Sequence, residues 1–186
     1  VADGAQADPE ALIGALIRLS ALELDEGSIE AGVAHLEQAL SLGARADQGL
    51  DLVLPLMRSG ARSPTLVRLF ARLATAADDA TLLWALSLAA ELDDVGLDVL
   101  TRAVELAREV GDGDRLVPLL ERTIEVGRRS GALAEVRWAL VDLAENQRRA
   151  GLFQRAAELL GEAIASCAAP SVTSASVPAV AWLSDA

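Results

Sequence analysis

The chain has 186 residues, of which 52% are hydrophobic and only 3% aromatic, and its formal net charge is −12. This acidic balance argues against general binding to nucleic acid or to an anionic membrane surface. The absence of lysine excludes a phosphate-loop NTPase site, a Schiff base and a lysine general base.

Turn signals at short, regular intervals divide the chain into nine predicted helices. Alanine and leucine dominate the composition and favour helix over strand. The start of the first helix is indicated by Asp8-Pro9-Glu10, and its apolar periodic run stops near Gly27. Further helices are predicted at about 28–42, 47–59, 64–77, 79–92, 94–110, 114–130, 132–150 and 152–168. Pro55 lies inside the third helix, which it should kink or interrupt.

No apolar run reaches the roughly 18–20 residues that a membrane helix needs, and no signal peptide opens the sequence. The single cysteine, Cys167, cannot form an internal disulfide. We therefore expect a soluble, cytoplasmic protein with no membrane partner.

Internal repetition is the strongest pattern in the sequence. The unit Leu-x4-Glu-x2-Arg-x2-Gly occurs three times at intervals of 20 residues, over 100–111, 120–131 and 140–151, and its leucine recurs at Leu160. We expect the leucine to face a neighbouring helix, the glutamate and arginine to share a solvated face, and the glycine to end the helix. A second repetition, with a spacing of 17, relates 43–45 to 60–62. One helix per 17–20 residues predicts hairpins of about 34–40 residues, stacked in series.

Two stretches share a finer skeleton. Residues 140–163 read Leu140-x2-Leu143-Ala144, then Gly151 and Phe153, then Ala156-x3-Leu160-x2-Ala163. Residues 16–39 read Leu16-x2-Leu19-Ser20, then Gly27 and Ile29, then Gly32-x3-Leu36-x2-Ala39. This skeleton resembles the tetratricopeptide repeat, in which small residues let helices approach closely; residues 45–92 depart from it.

The resemblance implies an all-α fold: a right-handed alpha-alpha superhelix, or solenoid, of about four to five antiparallel helix hairpins over residues 8–168. It also implies that Phe153 packs in the core. The composition is similar to that of helical-repeat regions in large multidomain bacterial proteins, including ATP-dependent transcriptional regulators. Residues 169–186 are predicted to be a Ser/Ala/Pro linker followed by a short segment, 179–183. That segment could cap the last hairpin or begin a further repeat.

Several residues that could carry chemistry also have a structural explanation. His35, the only histidine, lies mid-helix without a nucleophile signature, and Cys167 has no basic cluster near it in the sequence. The stretch 112–114 resembles the opening of a calcium loop, but the later ligands are missing, so Asp114 is predicted to cap a helix. The acidic pairs 78–79 and 93–94 are also predicted at helix starts.

The arginines of the repeated unit do not predict an anion-binding stripe. Arg108, Arg128 and Arg148 each fall in the last turn of a predicted helix, where a cation complements the helix dipole. Successive helices of a hairpin stack run antiparallel, so Arg108 and the pair 148–149 are expected on one edge and the pair 128–129 on the other.

Trp138 is the residue that stands out as a possible partner contact. By analogy with tetratricopeptide repeats, its helix position would face a concave groove together with Glu145, Arg148 and Arg149, although packing within or between repeats is the alternative for Trp138. We expect a non-enzymatic protein–protein interaction scaffold, without cofactor or metal, that binds a peptide or helix of a partner. An acidic N-terminal half would favour a basic partner segment.

Two alternatives stay open. The chain could be a regulatory or sensor region of a larger bacterial ATPase or transcriptional regulator. An enzyme on a helical scaffold would require a buried cluster of polar residues.

Overall fold

The computed structural model describes residues 9–168. Over this range the chain forms nine α-helices and no strand, as the periodicity predicts. They are α1 (Pro9–Asp25), α2 (Ile29–Ser41), α3 (Ala46–Arg58), α4 (Pro64–Leu73), α5 (Asp79–Ala90), α6 (Leu97–Val110), α7 (Gly113–Ser130), α8 (Leu133–Arg149) and α9 (Phe153–Ala168). A short 3-10 turn, Ala74–Ala76, follows α4. Asp8 and the predicted linker and terminal segment, 169–186, lie outside the described residues.

Most helices that are neighbours in sequence pack against one another. The chain divides into two compact units, and the division falls within α5, between Ala85 and Leu86. In the first unit α1 packs on α2, α3 packs on α4, and α2 also contacts α3 and α4. In the second unit α6, α7, α8 and α9 pack consecutively, each on the next. No helix in the described part of the chain is both long and apolar enough to cross a membrane.

The cores of both units are made almost entirely of aliphatic side chains. In the first unit, Phe70 is fully buried, and its ring meets that of Trp84 edge to face, with 5.1 Å between the ring centroids. In the second unit, Leu100, Leu120 and Leu140 of the 20-residue unit are buried, as predicted. Each of these leucines therefore faces a neighbouring helix, and its burial stabilises the fold by removing apolar surface from water.

Glycines end the helices that carry the repeated unit. Gly111 and Gly131 follow α6 and α7 with φ values of 76° and 75°, and Gly151 follows α8 with a φ of 79°. An L side chain is strained in this left-handed region, so glycine is favoured there. The predicted role of the glycine in the 20-residue unit is confirmed.

Close approach of α1 and α2 depends on two small residues. The hydroxyl of Ser20 donates a hydrogen bond of 2.7 Å to the carbonyl oxygen of Gly32. A Cβ atom at Gly32 would lie only 2.6 Å from Cγ of Leu24. Gly127 plays the same part between α7 and α8, since a Cβ there would lie 2.7 Å from Cγ2 of Val136. Small residues thus set the distance between paired helices, as the repeat skeleton predicts.

The outer face of α9 corrects two predictions. Phe153, expected in the core, is 67% exposed, and Leu160, expected to face a neighbouring helix, is 43% exposed. Helix α9 packs on α8 through Ala156, Leu159 and Ala163, which lie about a quarter-turn around the helix from Phe153 and Leu160. The repeat skeleton anticipates a further helix against Phe153 and Leu160, and none of the described helices lies there.

Three local predictions also need correction. Pro55 does not interrupt α3, which runs unbroken from Ala46 to Arg58, so only the expected kink stays a prediction. Helix α6 begins at Leu97, so the acidic pair 93–94 precedes the helix and does not start it. Asp112, and not Asp114, caps α7, since its side chain accepts the amide of Arg115 at 3.0 Å.

The acidic pair 78–79 is placed as predicted. Asp78 accepts the backbone amide of Thr81 at 2.8 Å, at the start of α5. The Thr81 hydroxyl also donates to Asp78, at 3.2 Å. The hydrogen bond from the Thr81 amide and, to a smaller extent, that from its hydroxyl hold the pKa of Asp78 below its usual range. A carboxylate at this position satisfies an amide that the helix leaves without a partner.

Candidate interaction site on helix α8

One side of α8 is buried and the other is charged. The buried residues are Val136, Ala139, Leu140, Leu143 and Ala144. The other side carries Trp138, Val141, Asp142, Glu145, Arg148 and Arg149, whose spacings of three or four residues place them along one helix surface. We call these six residues the α8 face. All the predicted partner-binding residues belong to it, and Val141 adds an aliphatic side chain that is 49% exposed.

Trp138 is half-buried and lies beneath an arginine from α6. The guanidinium carbon of Arg108 lies 5.8 Å from the centroid of the indole ring, within the range of a cation–π interaction. The same guanidinium forms an ion pair with Asp142, one helical turn after Trp138. Arg108 is therefore held by two groups of α8, and one face of the tryptophan ring is covered by a cation.

The second half of the α8 face is a three-residue ion cluster. Glu145 accepts hydrogen bonds from Arg148, with Nε at 2.7 Å and Nη2 at 2.8 Å, and from Nε of Arg149 at 2.9 Å. The hydrogen bonds from Arg148 and then Arg149 lower the pKa of Glu145 to about 2. In return, Glu145 raises the pKa of Arg148 above its usual value. The cluster stays ionised at neutral pH and carries one net positive charge.

Only the third copy of the repeated unit pairs its own glutamate and arginine. In the first copy Glu105 lies 3.7 Å from Arg102, and in the second Glu125 lies 2.7 Å from Arg122. The arginines of those copies reach across to other helices instead. Arg108 pairs with Asp142, and Arg128 of α7 pairs with Glu162 of α9, in both cases 34 residues further along.

The arginines at the helix ends therefore already have carboxylate partners. Arg108, Arg128 and Arg148 all lie in last turns, as predicted. Arg108 joins α6 to α8 and Arg128 joins α7 to α9, so consecutive copies contact different helices. Their positions complement the helix dipoles and their charges are locally paired, which supports the structural explanation for them.

The other candidate residues of the sequence are accounted for locally. Nδ1 of His35 lies 2.6 Å from Oε2 of Glu23, across the α1–α2 contact. The exposed thiol of Cys167 lies 3.5 Å from the carbonyl oxygen of Ala163. The two buried polar side chains of the described region, Ser20 and Thr123, each donate to a backbone carbonyl. Between residues 9 and 168 no group of three or more histidine, cysteine or acidic side chains is placed to hold a metal.

Arg122 has a structural role that the sequence analysis did not predict. Its Nε donates at 3.0 Å to the carbonyl oxygen of Ala90, the last residue of α5, and its Nη2 donates at 2.9 Å to that of Leu92, two residues later. Its Nη1 also donates to Glu125 at 2.7 Å. An arginine from α7 thus satisfies the Ala90 carbonyl at the end of α5 and adds a second donor to the Leu92 carbonyl, which also accepts the amide of Val95 at 3.3 Å. A separation of about 30 residues between donor and acceptor gives no local sequence signal.

No protein-family model matches the sequence, and no curated protein shows significant similarity to it.

Proposed function

We propose that the chain is a non-enzymatic, tetratricopeptide-like interaction module whose α8 face binds a peptide or helix of a partner protein. The observation that carries this proposal is the placement of Trp138, Val141 and the Glu145 cluster along one solvent-facing helix surface. Tryptophan and arginine are enriched among residues that dominate binding energy. A half-buried indole with a covered face is also ordered before binding, which lowers the entropic cost of association.

The charges of this surface suggest the chemistry of the partner. Together with Arg108, the α8 face contains three guanidinium groups and two carboxylates, which leaves one net positive charge. An amphipathic partner helix that places an apolar side chain on Trp138 and Val141, with a carboxylate near Arg148 or Arg149, would complement it. A basic segment would suit the acidic N-terminal half of the chain but not the α8 face.

A second candidate is a regulatory or sensor region of a larger bacterial ATPase or transcriptional regulator. The observation that favours it is the exposed apolar side of α1, where Leu12, Leu19 and Leu22 are all accessible. Such a surface suits packing against another domain, because contiguous apolar patches usually mark contact sites. Binding through the α8 face would be compatible with this role.

Affinity capture with the purified chain tests the leading proposal. The variant Trp138→Ala plus Arg148→Glu removes the aromatic anchor and reverses one charge of the Glu145 cluster. The matched control, Phe153→Ala plus Arg155→Glu, makes the same types of change on the exposed surface of α9. We expect partners captured by the wild type to be lost by the first variant and retained by the control. Retention of every partner by a folded first variant, checked by circular dichroism, would show that the α8 face is not the site.

A further inference from the structure

Helix α9 carries an exposed apolar stripe that none of the described helices covers. Phe153, Ala157, Leu160 and Ile164 are exposed and recur at intervals of four, three and four residues, which places them along one line on the helix. Phe153 and Ile164, at the two ends of the stripe, are 67% and 72% exposed. The spacing is that of a helix seam packed against another apolar element.

The stripe adds a second apolar face to a helix that already has one. Ala156, Leu159 and Ala163 are buried against α8. The stripe lies about 100° around the helix from these buried residues, and an apolar surface that extends so far beyond the packed face is typical of a helix with more than one neighbour. Isolated exposed apolar residues need no explanation, but a contiguous row of this kind marks a contact surface. The structure therefore points to an occupant of the α9 stripe.

The sequence beyond Ala168 supplies a segment suited to that surface. We propose that Ala179–Leu183 packs on the α9 stripe, with Trp182 and Leu183 as its main contacts. This segment reads Ala-Val-Ala-Trp-Leu, and residues 169–184 contain no charged side chain, so docking would bury no charge. This inference is independent of the proposed function, because it involves a different helix surface and no partner protein.

The length of the intervening chain allows this docking. Ten residues, 169–178, separate α9 from the segment, and an extended chain of that length spans about 33 Å. The stripe from Ile164 back to Phe153 covers about 16 Å at the helical rise of 1.5 Å per residue, so the segment can reach any part of it. A short tether gives an effective concentration in the millimolar range, which favours this segment over a second copy of the chain.

Tryptophan fluorescence of the full chain provides the test. Subtracting the spectrum of Trp182→Phe from that of the wild type isolates the emission of Trp182 from that of Trp84 and Trp138. We expect this difference spectrum to peak at a shorter wavelength than free N-acetyltryptophanamide. Ile164→Asp, examined with and without Trp182→Phe, should return the Trp182 emission to the free value. Because the Ile164 side chain is largely exposed, the substitution should leave the fold intact; Phe153→Asp is the second variant with the same expected result.

Val141→Asp on the α8 face is the matched control, because it places a carboxylate on another exposed aliphatic position of the same unit. It should leave the Trp182 emission unchanged. The proposal is overturned if the wild-type difference spectrum already matches free tryptophan, or if Val141→Asp rather than Ile164→Asp releases Trp182. A short-wavelength emission that is lost on dilution would identify a second copy as the occupant and would equally overturn it.

Discussion

Replacing Gly32 with alanine should destabilise the α1–α2 hairpin, although alanine is the better helix former. The added Cβ would lie 2.6 and 2.8 Å from Cγ and Cδ2 of Leu24 and 3.1 Å from the carbonyl oxygen of Ser20. Leu24 and Ser20 are themselves buried, and Ser20 is hydrogen-bonded to Gly32. Neither neighbour can move away without separating the two helices, so the substitution overpacks the contact.

Gly14 provides the matched control on the same hairpin. It lies inside α1, and no atom lies within 4 Å of a Cβ built there. Gly14→Ala should therefore show only the gain in helix propensity, about 1 kcal/mol. Gly32→Ala combines a similar gain with an overpacking cost of about 1–3 kcal/mol. Gly14→Ala should thus exceed Gly32→Ala in free energy of unfolding by about 1–3 kcal/mol.

Urea unfolding of the full chain, followed by circular dichroism, measures this difference, with the m-value checked for each variant. Because the chain divides into two compact units, hydrogen exchange of the α1 and α2 amides supplies a local readout of the same change. Amide protection on this hairpin should rise in Gly14→Ala and fall in Gly32→Ala. Equal stabilisation by both substitutions would refute the close-approach role of Gly32.

Three further predictions concern charged side chains. Because the pKa of Glu145 is lowered to about 2, its stabilising contribution should be present above the unfolded pKa of about 4.3 and be lost as the pH falls towards 2. Glu145→Gln should therefore reduce the pH dependence of the free energy of unfolding between these values, and an NMR titration that gives the Glu145 carboxyl a pKa near 4 would contradict this. Arg122→Met should cost about 1–3 kcal/mol, because it removes the Arg122 donor to the Ala90 carbonyl and one of two donors to the Leu92 carbonyl. Exposed Arg155→Met should cost under about 0.5 kcal/mol, and similar urea midpoints for the two variants would refute the difference. A double-mutant cycle of Arg108→Gln and Asp142→Asn, measured on the free energy of unfolding, should give a coupling energy of about 1 kcal/mol or less, because the ion pair is exposed. A coupling energy above about 2 kcal/mol would contradict this.

The helices of this protein were predictable because their signals are local. Apolar periodicity and terminal glycines such as Gly111 and Gly131 depend on residues within a few positions of each other, and the structure places helix ends beside them. The close contact at Gly32 was predicted by its position in the repeat skeleton and not by its residue type alone, because Gly14 inside the leucine-rich α1 has no atom within 4 Å of a Cβ built there. The cap of α7 was misassigned because Asp112 and Asp114 both suit a helix start, and only the backbone geometry selects Asp112.

The α8 face was predicted in part. Trp138, Glu145, Arg148 and Arg149 lie on one helix surface because their spacing is helical, and that much follows from the sequence. The contact of Arg108 with Trp138 and Asp142 joins α6 to α8, which are separated in the sequence by α7, so no local sequence pattern reveals it. Phe153 was misplaced for a related reason: a repeat motif predicts burial only if a further helix packs on that side.

The two ion pairs that skip a helix have a consequence for how such a chain can change length. Arg108–Asp142 and Arg128–Glu162 both span 34 residues and join each helix to the next but one. Equivalent positions of those helices, such as Arg108 and Arg148, are 40 residues apart, which is the period of the two-helix pattern. A single residue inserted in α9 between Leu159 and Glu162 would rotate Glu162 by about 100° relative to the buried residues before it and turn its carboxylate away from Arg128. A block of 40 residues, two copies of the 20-residue unit, would instead keep successive helices in register. Duplications and deletions in this protein should therefore be tolerated in whole hairpins, and grafted repeats should be joined in that register.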